Sequence, residues 1–232
     1  MTGYCQLGPI SHKIKPVASL DPIQHDASPK LRRSTNLFFQ QFLKHPATIS
    51  EFHSYAEFLY ACLLEGDPTI HAFVPQPFQL WVGNRRYTPD VYVRHTNGSI
   101  NIVELKPDKA LSTSLKEPLT AFFSRHRMNF VVIDNNEVQA RELEALNWLR
   151  INQILVRFQN LDTSIQEVEL EEIFFQCGRR QLQDFISREN RQAGMTSEIA
   201  LLRLLHNGVL SADLGQEPLN YTTELVYAHS LA

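Results

Sequence analysis

The amino-acid sequence predicts an α/β fold, in which a mixed sheet flanked by helices is followed by a small, mainly helical C-terminal domain. Three observations predict it. Short segments rich in β-branched and aromatic residues recur between residues 78 and 133. Segments with the apolar spacing of helices lie on either side of them and between them. From about residue 141 onward, helical patterns dominate.

The first 50 residues form a basic segment that contains several prolines. They carry six basic and two acidic residues, a net charge of +4, although the 232-residue chain has a formal net charge of −3. Charge is arranged in blocks elsewhere too, with −4 over residues 141–172 and +2 over residues 179–203. We predict an extended or poorly ordered arm over residues 1–46. The total charge is therefore a weak guide to whether the chain binds nucleic acid.

The predicted elements follow in order along the rest of the chain. A helix over residues 54–65, ended by Gly66, precedes strands at 78–82, 86–95 and 100–106. A helix over 116–127 and a strand at 130–133 complete this part, and helices are predicted at 141–149, 179–188 and 197–207. We therefore divide the chain into the arm at 1–46, a first domain at 47–145 and a C-terminal domain at 146–232.

Composition excludes several classes of protein. No apolar run reaches the roughly 18 residues that a membrane helix needs, and the N-terminus lacks the apolar core of a signal peptide. The three cysteines are too few and too widely spaced for a zinc cage or a disulfide framework. We expect an intracellular protein without a membrane partner.

The most informative stretch is RRYTPDVYVRHTNGSINIVELKP, at residues 85–107. A three-residue loop formed by Thr96-Asn97-Gly98 would place facing residues at positions that sum to 194. Asp90 would then lie opposite Glu104, while alternating Val and Leu residues would form an apolar reverse face. A two-residue turn would instead place Asp90 opposite Leu105, so the loop type decides whether the acidic groups meet.

Facing carboxylates repel each other and raise one pKa unless a cation offsets their charge. Mg²⁺ accepts carboxylate oxygens and also binds substrate phosphate, and Lys106, on the same face as Glu104, could orient or activate an attacking water and stabilise charge at phosphorus. A solvated hairpin face with no catalytic role is the alternative.

Glu57 is the only charged residue between Phe52 and Leu64. It could be a partner in the same site, because a lone carboxylate among apolar groups needs one. It could equally cap the helix, since Ser54-x-x-Glu57 fits a capping box. Both roles are compatible if the helix starts earlier, at a second cap formed by Thr48-x-x-Glu51.

The segments SYAEFLYACLLEGDP, VPQPFQL, RRYTPDVYV and IVELKP together resemble the TnsA endonuclease subunit of heteromeric TnsA/TnsB transposases, of the PD-(D/E)XK nuclease superfamily. Weaker similarity continues through FVVIDNNEV, LLRLLHNGVLSADL and YTTELVY. The resemblance covers about residues 50–230. It implies a restriction-endonuclease-like sheet and a winged-helix-type C-terminal domain.

The resemblance also implies roles for particular residues. Glu57, Asp90 and Glu104 would form the acidic metal site for Mg²⁺, with the Leu105 carbonyl assisting, and Lys106 would be the catalytic lysine. Mn²⁺ is expected to substitute for Mg²⁺. Neighbouring residues that could support the site or hold DNA phosphates are Gln76, Arg85, Arg86 and Arg94.

The implied function is cleavage of the non-transferred strand at the 5′ transposon ends. The implied partners are the DNA ends, a TnsB-like recombinase and a TnsC-like AAA+ ATPase, in the nucleoid-associated cytoplasm of a bacterium. The basic arm is expected to contact DNA or the recombinase. Two alternatives stay open: a stand-alone PD-(D/E)XK restriction or repair nuclease, and a non-catalytic interaction module of a transposition complex.

Overall fold

A computed structural model describes residues 14–186 and 194–228, except the side chains of residues 31 and 46–48. This part of the chain is a mixed α/β protein, and none of its helices is long and apolar enough to cross a bilayer. The strands are β1 (Ile14–Pro16), β2 (Phe38–Phe42), β3 (His45–Phe52), β4 (Ile70–Pro75), β5 (Leu80–Val82), β6 (Arg85–Tyr87), β7 (Val91–His95), β8 (Ile100–Lys106), β9 (Asn129–Asp134), β10 (Arg179–Gln181), β11 (Leu210–Ser211) and β12 (Glu224–Tyr227). The α-helices are α1 (Pro29–Ser34), α2 (Tyr55–Gly66), α3 (Thr113–Arg125), α4 (Asn135–Gln139), α5 (Glu142–Arg157), α6 (Ser164–Cys177) and α7 (Met195–His206).

The central sheet has the strand order β4-β7-β8-β9. The first two pairings are antiparallel and the pairing of β8 with β9 is parallel. The β7–β8 hairpin has the predicted register, because Val91 faces Val103 and Arg94 faces Ile100. Gly98 closes its three-residue loop with a φ of 83°, a left-handed conformation that glycine adopts without steric cost. The predicted hairpin is confirmed.

Alternation along the hairpin gives the sheet two buried faces. The side chains of Val91, Val93, Val103 and Leu105 pack into the core beneath α2. On the other face, Tyr92 and Ile102 pack against residues of α3. Burying each such side chain contributes about 1.5–3 kcal/mol. The register of the hairpin is therefore fixed from both sides of the sheet.

Two predicted strands are shorter than expected. The strand predicted at 86–95 is divided into β6 and β7 by Thr88-Pro89-Asp90, because proline has no N–H to donate to a ladder. The strand predicted at 78–82 begins only at Leu80. Gln76 and Pro77 precede it, and Gln76 has a φ of 40°, which lies outside the extended region. Both interruptions lie beside the candidate site described below.

Residues 14–46 of the predicted arm are part of the folded structure. Strand β1 pairs with β5, which also pairs with β6. Beyond β1, the backbone N–H of His25 donates to the Gln76 carbonyl at 3.0 Å. The β2–β3 hairpin then follows α1. Residues 1–13, which complete the predicted arm, lie outside the described residues.

A buried glutamate anchors the arm to β3. Glu51 accepts hydrogen bonds from the Ala27 backbone N–H and from the Arg32 guanidinium, the latter at 3.0 Å. Residues 48–51 belong to β3 and α2 starts at Tyr55, so the helix does not begin at the second cap that Thr48-x-x-Glu51 would have allowed. Glu51, which would have belonged to that cap, instead binds the arm through Ala27 and Arg32.

Helix α5 packs against both parts of the chain. Its Ala145 belongs to the core under α2, whereas its Trp148 belongs to the core formed with α6 and α7. The domain boundary predicted at 145–146 falls within this helix. Gly66, at the end of α2, has no room for a side chain, because a Cβ there would lie 2.1 Å from the Trp148 ring. Close packing, rather than a left-handed cap, explains this glycine.

The C-terminal part differs from prediction between residues 179 and 188. Instead of a helix, Arg179–Gln181 form β10 and Leu182–Asp184 form a 3₁₀ turn, while residues 187 and 188 lie outside the described part. Gly178 ends α6 with a φ of 75°, and β10 then pairs with β12 in a β10-β12-β11 sheet. The helix prediction was wrong because pairing with a distant strand overrode the local pattern.

Candidate active site

Three strand ends meet at one edge of the central sheet. Pro75 of β4 pairs with Val91 of β7, which pairs with Val103 of β8. The residues just beyond these positions therefore lie together: Gln76 after β4, Asp90 before β7, and Glu104 and Lys106 at the end of β8. The edge collects two carboxylates, one ammonium and one amide.

Asp90 is held against β8 by a backbone hydrogen bond. The Leu105 N–H donates to Asp90 Oδ2 at 2.7 Å. The Leu105 side chain is buried in the core beneath α2, so its backbone is fixed in place. Asp90 thus lies beside Glu104, as the register predicts, although the regular strand starts one residue later.

Glu104 has partners for both carboxylate oxygens. Lys106 Nζ lies 2.7 Å from Oε1, and the Tyr87 hydroxyl donates to Oε2 at 2.5 Å. Only 4% of the Glu104 side chain is exposed, against 35% for Lys106. Sequence reasoning missed Tyr87. Tyr87 lies three residues before Asp90 in the sequence. Only the structure, in which the predicted strand is divided into β6 and β7, shows that its hydroxyl reaches Glu104.

Glu57 both caps α2 and faces the site. The Ser54 hydroxyl accepts from the Glu57 N–H at 3.2 Å and donates to Glu57 Oε1 at 2.9 Å. Glu57 Oε2 accepts from the His53 N–H at 3.1 Å, so the backbone partner differs by one residue from a standard capping box. The same oxygen accepts from Gln76 Nε2 at 2.7 Å. Glu57 therefore caps α2 and is also bonded to Gln76, the residue that follows β4.

Electrostatic coupling joins these groups. Burial raises the pKa of Asp90 well above its usual value, and the charges of Glu104 and Glu57 raise it further, against the opposing effect of Lys106. Burial lowers the pKa of Lys106, but the charges of Asp90 and Glu104 outweigh this effect and leave the pKa raised. Burial, followed by the charge of Glu104, raises the pKa of Tyr87. Lys106 therefore remains an ammonium at neutral pH.

The donor set suits a hard divalent cation. Three carboxylates and one ammonium carry a formal charge of −2 when all are ionised, which a divalent ion would offset. Among residues 14–186 and 194–228, no group of three or more histidine, cysteine, aspartate or glutamate side chains forms a ready-made metal cage. Mg²⁺ requires no such cage, because it is often held by one or two carboxylates together with waters and substrate phosphate. Asp90 and Glu104 fit that requirement.

The arginines are divided between two places. Arg85 and Arg86 are exposed on β6, the strand that carries Tyr87, and the Arg86 guanidinium lies 5.3 Å from the Trp81 ring centre. Arg94 lies on β7 four residues beyond Asp90, about 13 Å along the strand. The structure thus places two arginines on the strand that carries Tyr87 and one near the hairpin turn.

Fold and site together define a mixed α/β protein with a partly buried cluster of carboxylates, an amide and a lysine at one sheet edge. No protein-family model matches the chain, and no curated protein matches it.

Proposed function

We propose that this chain is a Mg²⁺-dependent DNA endonuclease subunit of a TnsA-like type, which cleaves the non-transferred strand at the 5′ transposon ends together with a TnsB-like recombinase and a TnsC-like ATPase. One observation carries the proposal: Asp90, Glu104 and Lys106, from two strands, converge with Glu57 from a helix at a single sheet edge. Phosphodiester hydrolysis needs hard oxygen ligands and a nearby positive charge, and this edge supplies both.

Each residue of the site would have its own role in cation binding or in charge stabilisation. Asp90 and Glu104 would hold the cation, with Glu57 near enough for its charge to act on Asp90. Mg²⁺, when bound, supplies a Lewis acid and a water of lowered pKa. Lys106 stays protonated, so it would stabilise negative charge on the phosphate and orient the water rather than remove its proton. Because Lys106 pairs with Glu104, substrate phosphate would compete for the ammonium.

The finer fold assignment belongs to the same proposal. The β4-β7-β8-β9 sheet with α2 on one face and α3 on the other is consistent with a restriction-endonuclease-like core. After α5, the described elements α6, β10, the 3₁₀ turn, α7, β11 and β12 follow in an order consistent with a winged-helix-type domain, in which residues 212–223 would be the wing. We assign DNA or partner contacts to this domain.

Basic residues near the site would guide DNA phosphates. Arg85 and Arg86 project from β6, and Lys15 lies on β1 in the same three-stranded sheet. Phosphate contacts position a duplex without reading its sequence, so sequence recognition would come from the recombinase. We expect Arg86→Ala to weaken DNA retention by the complex severalfold, and Arg94→Ala to leave it unchanged.

Strand cleavage tests the proposal. In an assay with the cognate recombinase, end-sequence DNA and Mg²⁺, we expect Asp90→Asn and Lys106→Met each to lower the cleavage rate by at least about 100-fold. Lys116→Met, which changes an exposed lysine on α3, should cleave at the wild-type rate. Thermal melting checks that each variant is folded. Undiminished cleavage by folded Asp90→Asn would refute the proposal.

One observation favours a second candidate, a non-catalytic interaction module. Tyr87 and Lys106 supply a protein partner for each oxygen of Glu104, as in a structural network of hydrogen bonds and ion pairs. Calorimetric titration with Mn²⁺ separates the two candidates. Binding that is lost in Asp90→Asn supports the nuclease, whereas no heat with either protein supports the module. Cleavage of specific DNA without partners would instead identify a stand-alone nuclease.

A further inference from the structure

Gln76 has an unusual backbone conformation at the edge of the site. Its φ of 40° is positive, which is uncommon for a residue other than glycine and costs conformational free energy. Two hydrogen bonds hold it there: its N–H donates to the Asp90 carbonyl at 2.8 Å, and its carbonyl accepts from the His25 N–H at 3.0 Å. Gln76 therefore joins the arm to Asp90, the residue that precedes β7.

The side chain of Gln76 is as constrained as its backbone. The residue is only 3% exposed, and Nε2 donates to Glu57 Oε2 at 2.7 Å. Because the amide nitrogen donates to Glu57 Oε2, which also accepts from the His53 N–H, the amide oxygen of Gln76 faces elsewhere.

The amide oxygen of Gln76 has no partner in the described structure. Oε1 is buried, and no residue within 14–186 or 194–228 donates a hydrogen bond to it. Buried acceptors without a donor are rare, because losing hydration without compensation is unfavourable. The bonded neighbours of Gln76 are Glu57 through its side chain and Asp90 through its backbone, both of them acidic residues of the site. The missing donor is therefore expected to be a bound water.

We propose that Gln76 is a positioning residue of this site, which orients Glu57 through Nε2 and accepts through Oε1 a hydrogen bond from a water bound to the divalent cation. The inference rests on the proposed nuclease function and extends it. Mg²⁺ and Ca²⁺ retain several waters when bound by few carboxylates, and fixing those waters strengthens the site. The strained backbone at Gln76 is then the cost of placing a neutral acceptor beside the Glu57 carboxylate.

Calorimetric titration of the full chain with Ca²⁺ tests this role without turnover. Gln76→Met keeps a side chain of similar length and the strain of the positive φ, but it removes both polar atoms of the amide. Gln76→Gly removes the side chain and suits the positive φ, so it is the variant expected to fold in any case. We expect both to weaken Ca²⁺ affinity by about tenfold or more. Gln79→Met, on the same segment but bonded to Arg86, is the matched control and should bind as wild type does.

Three outcomes would overturn the inference. The first is binding of Ca²⁺ by folded Gln76→Met or Gln76→Gly within twofold of the wild-type affinity. The second is a change in melting temperature alone, which would give Gln76 a structural role only. If either occurs while Asp90→Asn still abolishes binding, only the role of Gln76 fails. The third is the absence of Ca²⁺ binding by the wild-type chain, which would also remove the cation from the proposed function.

Discussion

The two ends of the β7–β8 hairpin differ in the interactions that determine their conformation. At the turn end, Thr96-Asn97-Gly98 are exposed, and their conformation follows from local rules, namely the left-handed φ of Gly98 and the short side chain of Asn97, which accepts from the Ser99 N–H. At the other end, Asp90 and Glu104 depend on partners from other elements, including Glu57 of α2 and Tyr87 of β6. The comparison shows that the local turn sets the register of the hairpin. That register brings Asp90 beside Glu104, about four residue pairs from the first ladder pair after the turn, Arg94 and Ile100.

The largest effect is expected from changing the length of the turn. Deleting Asn97 would force a two-residue loop and shift the register by one, so that Val91 and Val93 could no longer keep their places opposite β8 in the core. Burying each of these side chains contributes about 1.5–3 kcal/mol. Displacing them would therefore remove much of the free energy of unfolding, which is typically about 5–15 kcal/mol. We expect the deletion variant to unfold below 37 °C in a thermal melt followed by circular dichroism.

Asn97→Gly is the control for that deletion, because it keeps the loop length while removing only the two hydrogen bonds that Asn97 Oδ1 accepts from the Ser99 N–H and hydroxyl. It should remain folded, with a loss of about 1 kcal/mol. A deletion variant that melts within a few degrees of this control would show that the turn does not fix the register.

At the site end, the fold should be less stable when Asp90 is ionised. The folded pKa of Asp90 is raised, so between about pH 4, where an unfolded aspartate ionises, and that raised pKa the folded state binds more protons than the unfolded state. Stability from this group is present at low pH and is lost as the pH rises through the folded pKa. In metal-free buffer, Asp90→Asn should therefore unfold at higher denaturant concentration than wild type at pH 8.

The difference between wild type and Asp90→Asn should shrink as the pH falls toward 4, where both side chains are uncharged. Denaturation followed by fluorescence at several pH values measures it. Mg²⁺ should raise the stability of the wild-type chain more than that of the variant. A variant less stable than wild type at pH 8 would contradict the unfavourable interaction assigned to Asp90.

A smaller effect is expected from Tyr87→Phe. The change removes the hydroxyl that donates to Glu104 and leaves the ring in place. We expect a loss of about 1–2 kcal/mol in urea denaturation and about a tenfold fall in cleavage rate, because Glu104 loses one of the groups that orient it. Tyr92→Phe, on the neighbouring strand β7, is the control and should change neither quantity by as much. Equal effects of the two changes would remove Tyr87 from the site.

The smallest effect is expected at the turn itself. Gly98→Ala places a Cβ in open space, so its cost is only that of a left-handed φ, about 1–2 kcal/mol. Urea denaturation should register this loss, while the cleavage rate at a temperature where the variant is folded should be unchanged. Gly98→Asn should cost less, because asparagine tolerates this region better. A fall in cleavage rate without a fall in stability would mean that the turn contacts DNA.

Much of the hairpin and the site could be predicted because their signals are local. The turn residues and the alternating Val and Leu residues determine which side chains share a face, and this pattern is enough to place Asp90 beside Glu104 and Lys106. The helix over 54–65 was also predictable, since Ser54 and the apolar face mark it. By contrast, residues 179–184 have a local pattern that allows a helix, and only pairing with β12 makes them a strand and a turn.

The hairpin register, the position of α2 and the placement of acidic residues on one face follow from the amino-acid sequence, because each depends on a period of two or 3.6 residues and on turn chemistry. Tertiary packing was needed to show that Glu57 contacts both Ser54 and Gln76, that the Tyr87 hydroxyl bonds to Glu104, and that His25 of the arm bonds to Gln76. Those contacts join residues about 17 to 51 positions apart, apart from the local bond to Ser54, and no local period encodes such distances. They depend on how buried groups find partners once the cores have packed.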